Sequence, residues 1–298
     1  KTIKIFLENQ RDGIKYMHDQ TLRYMSHGFV PSEIANKIKF PPSLERLWHL
    51  RGYYGSLKHN VQGIYAYYLG WYDGNPANLN PLPPVEAGKK YVEYMGGADE
   101  LLKKAANAFD GGDYRWVVQV MNHAVFADPT NTKVRNLQAD AFEQLGYQSE
   151  SGTWRNAYLT AARELRYGSL RIPASMGRQI AHAITIDQLF DMIGVRFNPE
   201  KFDHGPTRIN WHFTDIEEDH VLGIERSTVH HDPNTSDSEA NAEIITTRKV
   251  IALILGDQTT LEEVIESGDL VIHSGEAVIQ TFLSSLESFI TAPLIEPK

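Results

Sequence analysis

The sequence predicts a mainly helical chain that closes in an α+β domain with one antiparallel sheet. Three observations predict it. Apolar residues recur at helical spacing through the first 170 or so positions, interrupted at intervals by Gly and Pro. Beyond Arg171-Ile172-Pro173 short segments alternate apolar and polar residues, as strands do. No apolar run approaches the roughly 20 residues that span a bilayer, and 298 residues with 42% hydrophobic content fit a globular chain of about two domains.

Taken in order, residues 3–27 read as a long helix, with Ile3, Leu7, Ile14, Met17 and Met25 at near-helical spacing and Gly28 placed as a C-terminal cap. Pro31-Ser32-Glu33 opens a short helix through Ile38, and Pro41-Pro42-Ser43-Leu44-Glu45 opens another. Ser56 to Trp71 is helical again, and Asp73-Gly74-Asn75-Pro76 is a turn. The three prolines between Asn78 and Pro84 mark a linker. Helical hairpins follow at Val85 to Met95, Ala98 to Phe109, Tyr114 to Ala127, Asn131 to Leu145 and Thr153 to Arg166. Small residues Ala105, Ala108, Ala124, Ala139 and Ala141 beside bulky Phe109, Trp116, Phe126 and Phe142 suit close antiparallel pairs of the tetratricopeptide (TPR) kind.

The last third changes character. Ile180 to Gly194 reads as an amphipathic helix, Arg208 to Phe213 and Val221 to Val229 as strands, and Ala242 to Thr246 as a continuation of the sheet. Thr247 begins a helix, Thr260 and Glu263 form a capping box for the next, Leu270-Val271-Ile272 is a short strand, and Ala277 to Phe289 is the last helix.

A formal charge of −9, with no cluster of Lys and Arg, argues against a nucleic-acid partner. The absence of cysteine removes disulfides, thiolate metal sites and a cysteine nucleophile together. Such a chain suits the periplasm or the exterior, and the cytoplasm is compatible with it.

Chemistry concentrates in residues 51–80, which hold six tyrosines together with Arg51, His59 and several side-chain amides. Aromatic rings tipped with one polar group, beside Arg, His and Asn donors, can enclose a tetrahedral anion. An aromatic packing seam between helices has the same composition.

The order Gln10-Arg11-Asp12, Gly28, Arg51-Gly52-Tyr53-Tyr54-Gly55-Ser56, His59-Asn60 and Gly70-Trp71-Tyr72-Asp73-Gly74-Asn75-Pro76 resembles the zinc-dependent alkylsulfatases of the metallo-β-lactamase superfamily. Gly112-Asp113-Tyr114-Arg115-Trp116, Asn122-His123-Ala124 and Arg155-Asn156-Ala157 look like that family's dimerisation domain, and Gly256-Asp257 and Ser267-Gly268-Asp269-Leu270 like its C-terminal domain. The resemblance implies three parts. Residues 1–80 would be the helical end of a metallo-β-lactamase-like catalytic domain, 81–170 an all-helical dimerisation domain, and 171–298 an α+β domain like sterol carrier protein 2 (SCP2-like) that binds alkyl chains. The family's His-x-His-x-Asp-His zinc motif does not occur, and His182, His204, His212, His220, His230 and His231 are scattered. The two zinc ions are therefore expected on a catalytic domain outside this sequence.

By the same resemblance, alkyl sulfate esters of the dodecyl sulfate type are split to alcohol and sulfate. His59 and Tyr53 or Tyr54 are the expected sulfate donors, with Asn60 as a positioning partner and Arg51 a less favoured candidate. Leu253, Ile254, Leu255, Ile272, Val278, Ile279, Phe282 and Leu283 are candidates for an alkyl-chain groove, or ordinary core. The expected partners are the substrate, a second copy of the chain in a homodimer, and the catalytic domain. An alternative class is a non-catalytic binding protein that joins a helical-repeat module to a lipid carrier.

Overall fold

The computed structural model describes residues 2–169, 184–256, 258–287 and 295–297. The anticipated boundary at 171–173, His182 and Asp257 lie outside the described residues, and the last helix, expected to reach Phe289, ends at Ser284, after which Leu286 bridges to Phe197. The chain forms two compact units, Lys1–Ser169 with Ala292–Lys298, and Leu170–Thr291.

The first unit is helical. It opens with α1 (Thr2–Ser26), α2 (Pro31–Lys37), α3 (Pro42–Glu45) and α4 (Leu57–Leu69). Gly28 has φ +79°, the left-handed conformation that ends α1. Buried Ile34, Ala35, Ile38, Val61 and Tyr65 join α2 to α4, with Tyr16, Tyr24 and Met25 of α1 against them. The apolar stripe expected to bury α1 does not: Ile3, Leu7 and Ile14 are exposed, while Gly13 and Thr21 are its buried positions. Helical spacing shows that a stripe exists, and says nothing about whether a covering surface belongs to the same chain.

Next come α5 (Pro84–Tyr94), α6 (Ala98–Asp110), α7 (Tyr114–Ala127), α8 (Thr132–Gln148) and α9 (Gly152–Tyr167). Their core is built from Leu101, Ala105, Val117, Met121, Ala124, Val134, Ala139, Ala141 and Leu165. Small side chains set the spacing. At Gly88 of α5 an added Cβ would lie 2.6 Å from the His123 carbonyl of α7, so only glycine allows this crossing. Asn131 and Ser151 cap α8 and α9 by accepting the Val134 and Trp154 amides. Arg166 of α9 pairs with Glu143 and Asp140 of α8, which raise the pKa of its guanidinium further.

The second unit places α10 (Ile186–Arg196), α11 (Arg248–Leu255), α12 (Leu261–Glu266) and α13 (Glu276–Ser284) with a five-stranded sheet. The strands are β1 (Thr207–Phe213), β2 (Glu218–Glu225), β3 (Thr228–Pro233), β4 (Ala242–Thr246) and β5 (Val271–Ser274), in the order β3-β2-β1-β4-β5. Register puts Ile209, Trp211 and Phe213 beside Leu222 and Ile244 on the core face, where Leu189, Phe190, Ile193, Ile279 and Phe282 of the helices meet them.

Two expectations are corrected. The sheet is mixed, because β1 and β4 run parallel. Residues 234–241 carry the chain from β3 across to β4 and are tied down on the way: Asn210 exchanges two hydrogen bonds of 2.9 Å with the Asp237 backbone, and the Asn241 amide donates to the Arg208 carbonyl. The anticipated strand Val221 to Val229 is a hairpin instead. It turns at Arg226 and Ser227, both at positive φ (50° and 62°), as the tight two-residue turn requires. Neither is the Gly or Asn that advertises such a turn.

Candidate functional site

The segment 51–60 is an irregular loop that enters α4, with Ser56 as its N-cap accepting the His59 amide at 3.2 Å. The start of α9 holds the loop in place. Gly152 N–H donates to the Tyr53 carbonyl at 2.7 Å, and the hydroxyls of Ser151 and Thr153 both donate to the Tyr54 carbonyl at 2.7 Å. With their backbones fixed, the Tyr53 and Tyr54 rings project outward, 51% and 81% exposed.

His59 is oriented by a tryptophan. The Trp154 indole N–H donates to His59 Nδ1 at 3.2 Å, so the neutral ring carries its proton on Nε2, the nitrogen facing away from Trp154. Asn60 does something different: it packs beneath Gly55, and its amide points to Met17 Sδ at 3.8 Å. Arg51 forms an ion pair with Glu150 and lies over the Tyr53 ring. A loop with two outward phenols and one outward imidazole N–H can donate to the oxygens of an anion presented to it.

Arg51 and Gly52 also line an open cleft of about 560 Å³ with Phe40, Trp48, Leu57 and Trp154. Tyr53, Tyr54, His59 and Asn60 do not line it. In the nearby Gly70–Pro76 run, Asp73 accepts from the Asn75 amide and the Asn78 side chain, and Asn75 accepts from Ala77, so the polar residues of this stretch shape a turn. Trp71 is 75% exposed beside it.

The second unit contains a cavity of about 730 Å³ whose apolar lining is Ile254, Leu255, Leu261, Ile265, Leu283 and Leu286. Of the residues anticipated for an alkyl groove, Ile254, Leu255 and Leu283 line it. Ile279 and Phe282 are fully buried in the core, and Leu253, Ile272 and Val278 lie off the cavity. The reason is helical phase. On α13 the pair 279 and 282 faces the sheet, and the adjacent stripe of Gln280, Thr281, Leu283 and Ser284 faces the cavity. Leu261, Ile265 and Leu286 were not anticipated, since only packing distinguishes their stripe from core.

Register also gathers two of the scattered histidines. His220 and His231 are diagonal neighbours on the core face of β2 and β3, 2.9 Å apart, with His220 held by Glu218 and His231 stacked on Phe190. Burial pushes the His231 pKa below its ordinary value, and His220 adds to this. Among the described residues no group of three or more His, Cys, Asp or Glu is arranged to hold a metal ion. Nor is any described helix long and apolar enough to cross a membrane.

Residues 30–168 match the family model for alkyl sulfatase dimerisation, and residues 174–292 the model for the alkyl sulfatase C-terminal domain. Residues 30–168 and 174–292 thus belong to two alkylsulfatase domains. A linear primary-alkylsulfatase from Pseudomonas sp. is 41% identical over 97% of this chain, which covers 43% of that relative. The alkyl/aryl-sulfatase BDS1 of Saccharomyces cerevisiae is 42% identical over 99% of the chain, covering 46% of its own length. The solved structure of the stereoselective inverting sec-alkylsulfatase Pisa1 from Pseudomonas sp. superposes with a TM-score of 0.87 at 40% identity, over 99% of this chain and 47% of that one. This chain thus spans about half the length of the alkylsulfatases it matches. The loop carrying Tyr53, Tyr54 and His59 lies within the match to the dimerisation model, and the apolar cavity within the match to the C-terminal one.

Proposed function

We propose that this chain is the dimerising and substrate-holding part of an enzyme that hydrolyses alkyl sulfate esters to an alcohol and inorganic sulfate. One observation carries the reading: two alkylsulfatase domain models match in succession across most of the chain. Ester cleavage needs an activated water, which a pair of zinc ions would supply on the catalytic domain, metallo-β-lactamase-like by resemblance. By the same resemblance, the residues that would hold that pair lie outside this chain.

What this chain contributes is binding and orientation. His59, its Nδ1 held by Trp154, offers the Nε2–H to a sulfate oxygen, and the Tyr53 or Tyr54 phenol offers a second donor. Asn60 keeps the loop in shape from below. The cavity of the second unit, SCP2-like by resemblance, receives the alkyl chain, each methylene gaining about 0.8 kcal/mol when buried. The helices of residues 81–169, TPR-like in arrangement, join a second copy into a homodimer. Exposed Ile3, Leu7, Ile14, Tyr67 and Trp71 are the side chains offered to the catalytic domain.

The test is His59→Ala in the whole enzyme, assayed with dodecyl sulfate. A fall in kcat/KM of roughly a hundredfold is expected for a lost oxyanion donor, and unchanged turnover removes His59 from the sulfate site. Sulfate release by the 298-residue chain alone would refute the assignment of water activation to residues outside it.

A further inference from the structure

Between α2, α4, α7, α8 and α9 lies a cavity of about 320 Å³ that the reading above does not use. Its charged lining residues are Lys58 and Arg115, and no Asp or Glu contributes to it. This runs against a chain whose formal charge is −9. Elsewhere in the first unit Arg51, Arg135 and Arg166 are neutralised by carboxylates. Among the described residues no ion pair forms at Lys58, whose ammonium is held at 3.1 Å by the neutral Asn36 carbonyl oxygen.

Both cations stand where helices prefer anions. Lys58 lies in the first turn of α4, which begins without an acidic residue, and Arg115 in the first turn of α7, whose N-cap is Asp113. The unsatisfied N–H groups of a helix start give it partial positive charge. Lys58 at the start of α4 adds to that field instead of cancelling it, and both cations line one cavity. Ser32 and Gln148 add a hydroxyl and an amide, and Trp154 forms part of the wall.

We propose that this cavity binds a tetrahedral oxyanion, sulfate or phosphate, between Lys58 and Arg115. Two positive groups arriving from different helices, with neutral donors around them, match an ion that presents oxygens in several directions. Sulfate is also the ion released in the reaction proposed above, but the binding assignment does not depend on that reaction.

Isothermal titration calorimetry on the full chain, with sodium sulfate and separately sodium phosphate at ionic strength held constant by chloride, tests it. A saturable site that His59→Ala leaves intact is expected for either ion, and the tighter of the two identifies the occupant. Lys58→Gln and Arg115→Gln should each weaken binding roughly tenfold, the scale of a charge-assisted hydrogen bond. Lys103→Gln, an exposed position on α6 outside the cavity, should leave it unchanged. An absence of saturable binding, an equal response to chloride alone, or full-strength binding by the folded double variant would overturn the proposal, with circular dichroism melts establishing the fold.

Discussion

The two ends of this chain use apolar residues in opposite ways. The second unit has a sealed core: Leu222, Ile244, Ile279 and Phe282 are fully buried around one sheet. In the first 80 residues the buried cluster has five members, while Ile3, Tyr54, Tyr67 and Trp71 stand at least three-quarters exposed. A sealed core reports self-sufficiency. Large aromatic and aliphatic side chains left open by their own fold are candidates for a surface that something else covers.

The sharpest way to test that contrast is to remove one large side chain from each end. Phe282→Ala should destabilise the second unit by about 3–5 kcal/mol, through lost burial and the cavity left behind. Urea denaturation read by hydrogen exchange at the β1 amides measures it. A loss below 1 kcal/mol would mean that the core is not sealed. Gly88→Ala comes next. The new methyl meets the His123 carbonyl and the Ala127 amide of α7, and an overpacking cost of about 1–3 kcal/mol is expected in the first unit.

The pH dependence separates the units further. Burial lowers the folded-state pKa of His123 in the first unit, and burial with His220 lowers that of His231 in the second. A depressed histidine binds its proton less readily folded than unfolded, so each contributes stability above the ordinary value of 6.5 that is lost as pH falls below it. Thermal melts at pH 7.5 and pH 5.5 should show both losses. His231→Gln should flatten the second alone, and an unchanged pH profile in that variant would remove His231 as its source. The smallest effect belongs to the exposed side chains: Trp71→Ala should change stability by no more than about 0.5 kcal/mol, yet weaken association with a separately expressed catalytic domain. A larger stability loss would make Trp71 part of this chain's own core.

Much of this was legible in the residues. Periodicity and punctuation locate α4 to α9 to within about three residues, because Pro, Gly, Ser and Asn act locally: Ser56, Asn131, Thr247 and Thr260 cap where their hydroxyls or amides suggest. The hairpin at Arg226-Ser227 was not legible, since its positive φ values are imposed by the pairing of β2 with β3 and no glycine marks them. The donor loop was legible as composition and illegible as geometry. Nothing near His59 in sequence announces Trp154, 95 positions away, which fixes its ring.

The sequence by itself determined where helices and strands begin, which family its motifs resemble, and that residues 51–60 concentrate donors. Only the tertiary structure decided that β4 lies parallel to β1, that Leu283 faces a cavity while Phe282 faces the core, and that Lys58 and Arg115 share one carboxylate-free cavity. The physical reason is range. Caps, turns and periodicity are set by neighbours within about one helical turn, whereas register, helix phase and the meeting of charges are set by surfaces tens of residues apart in the chain.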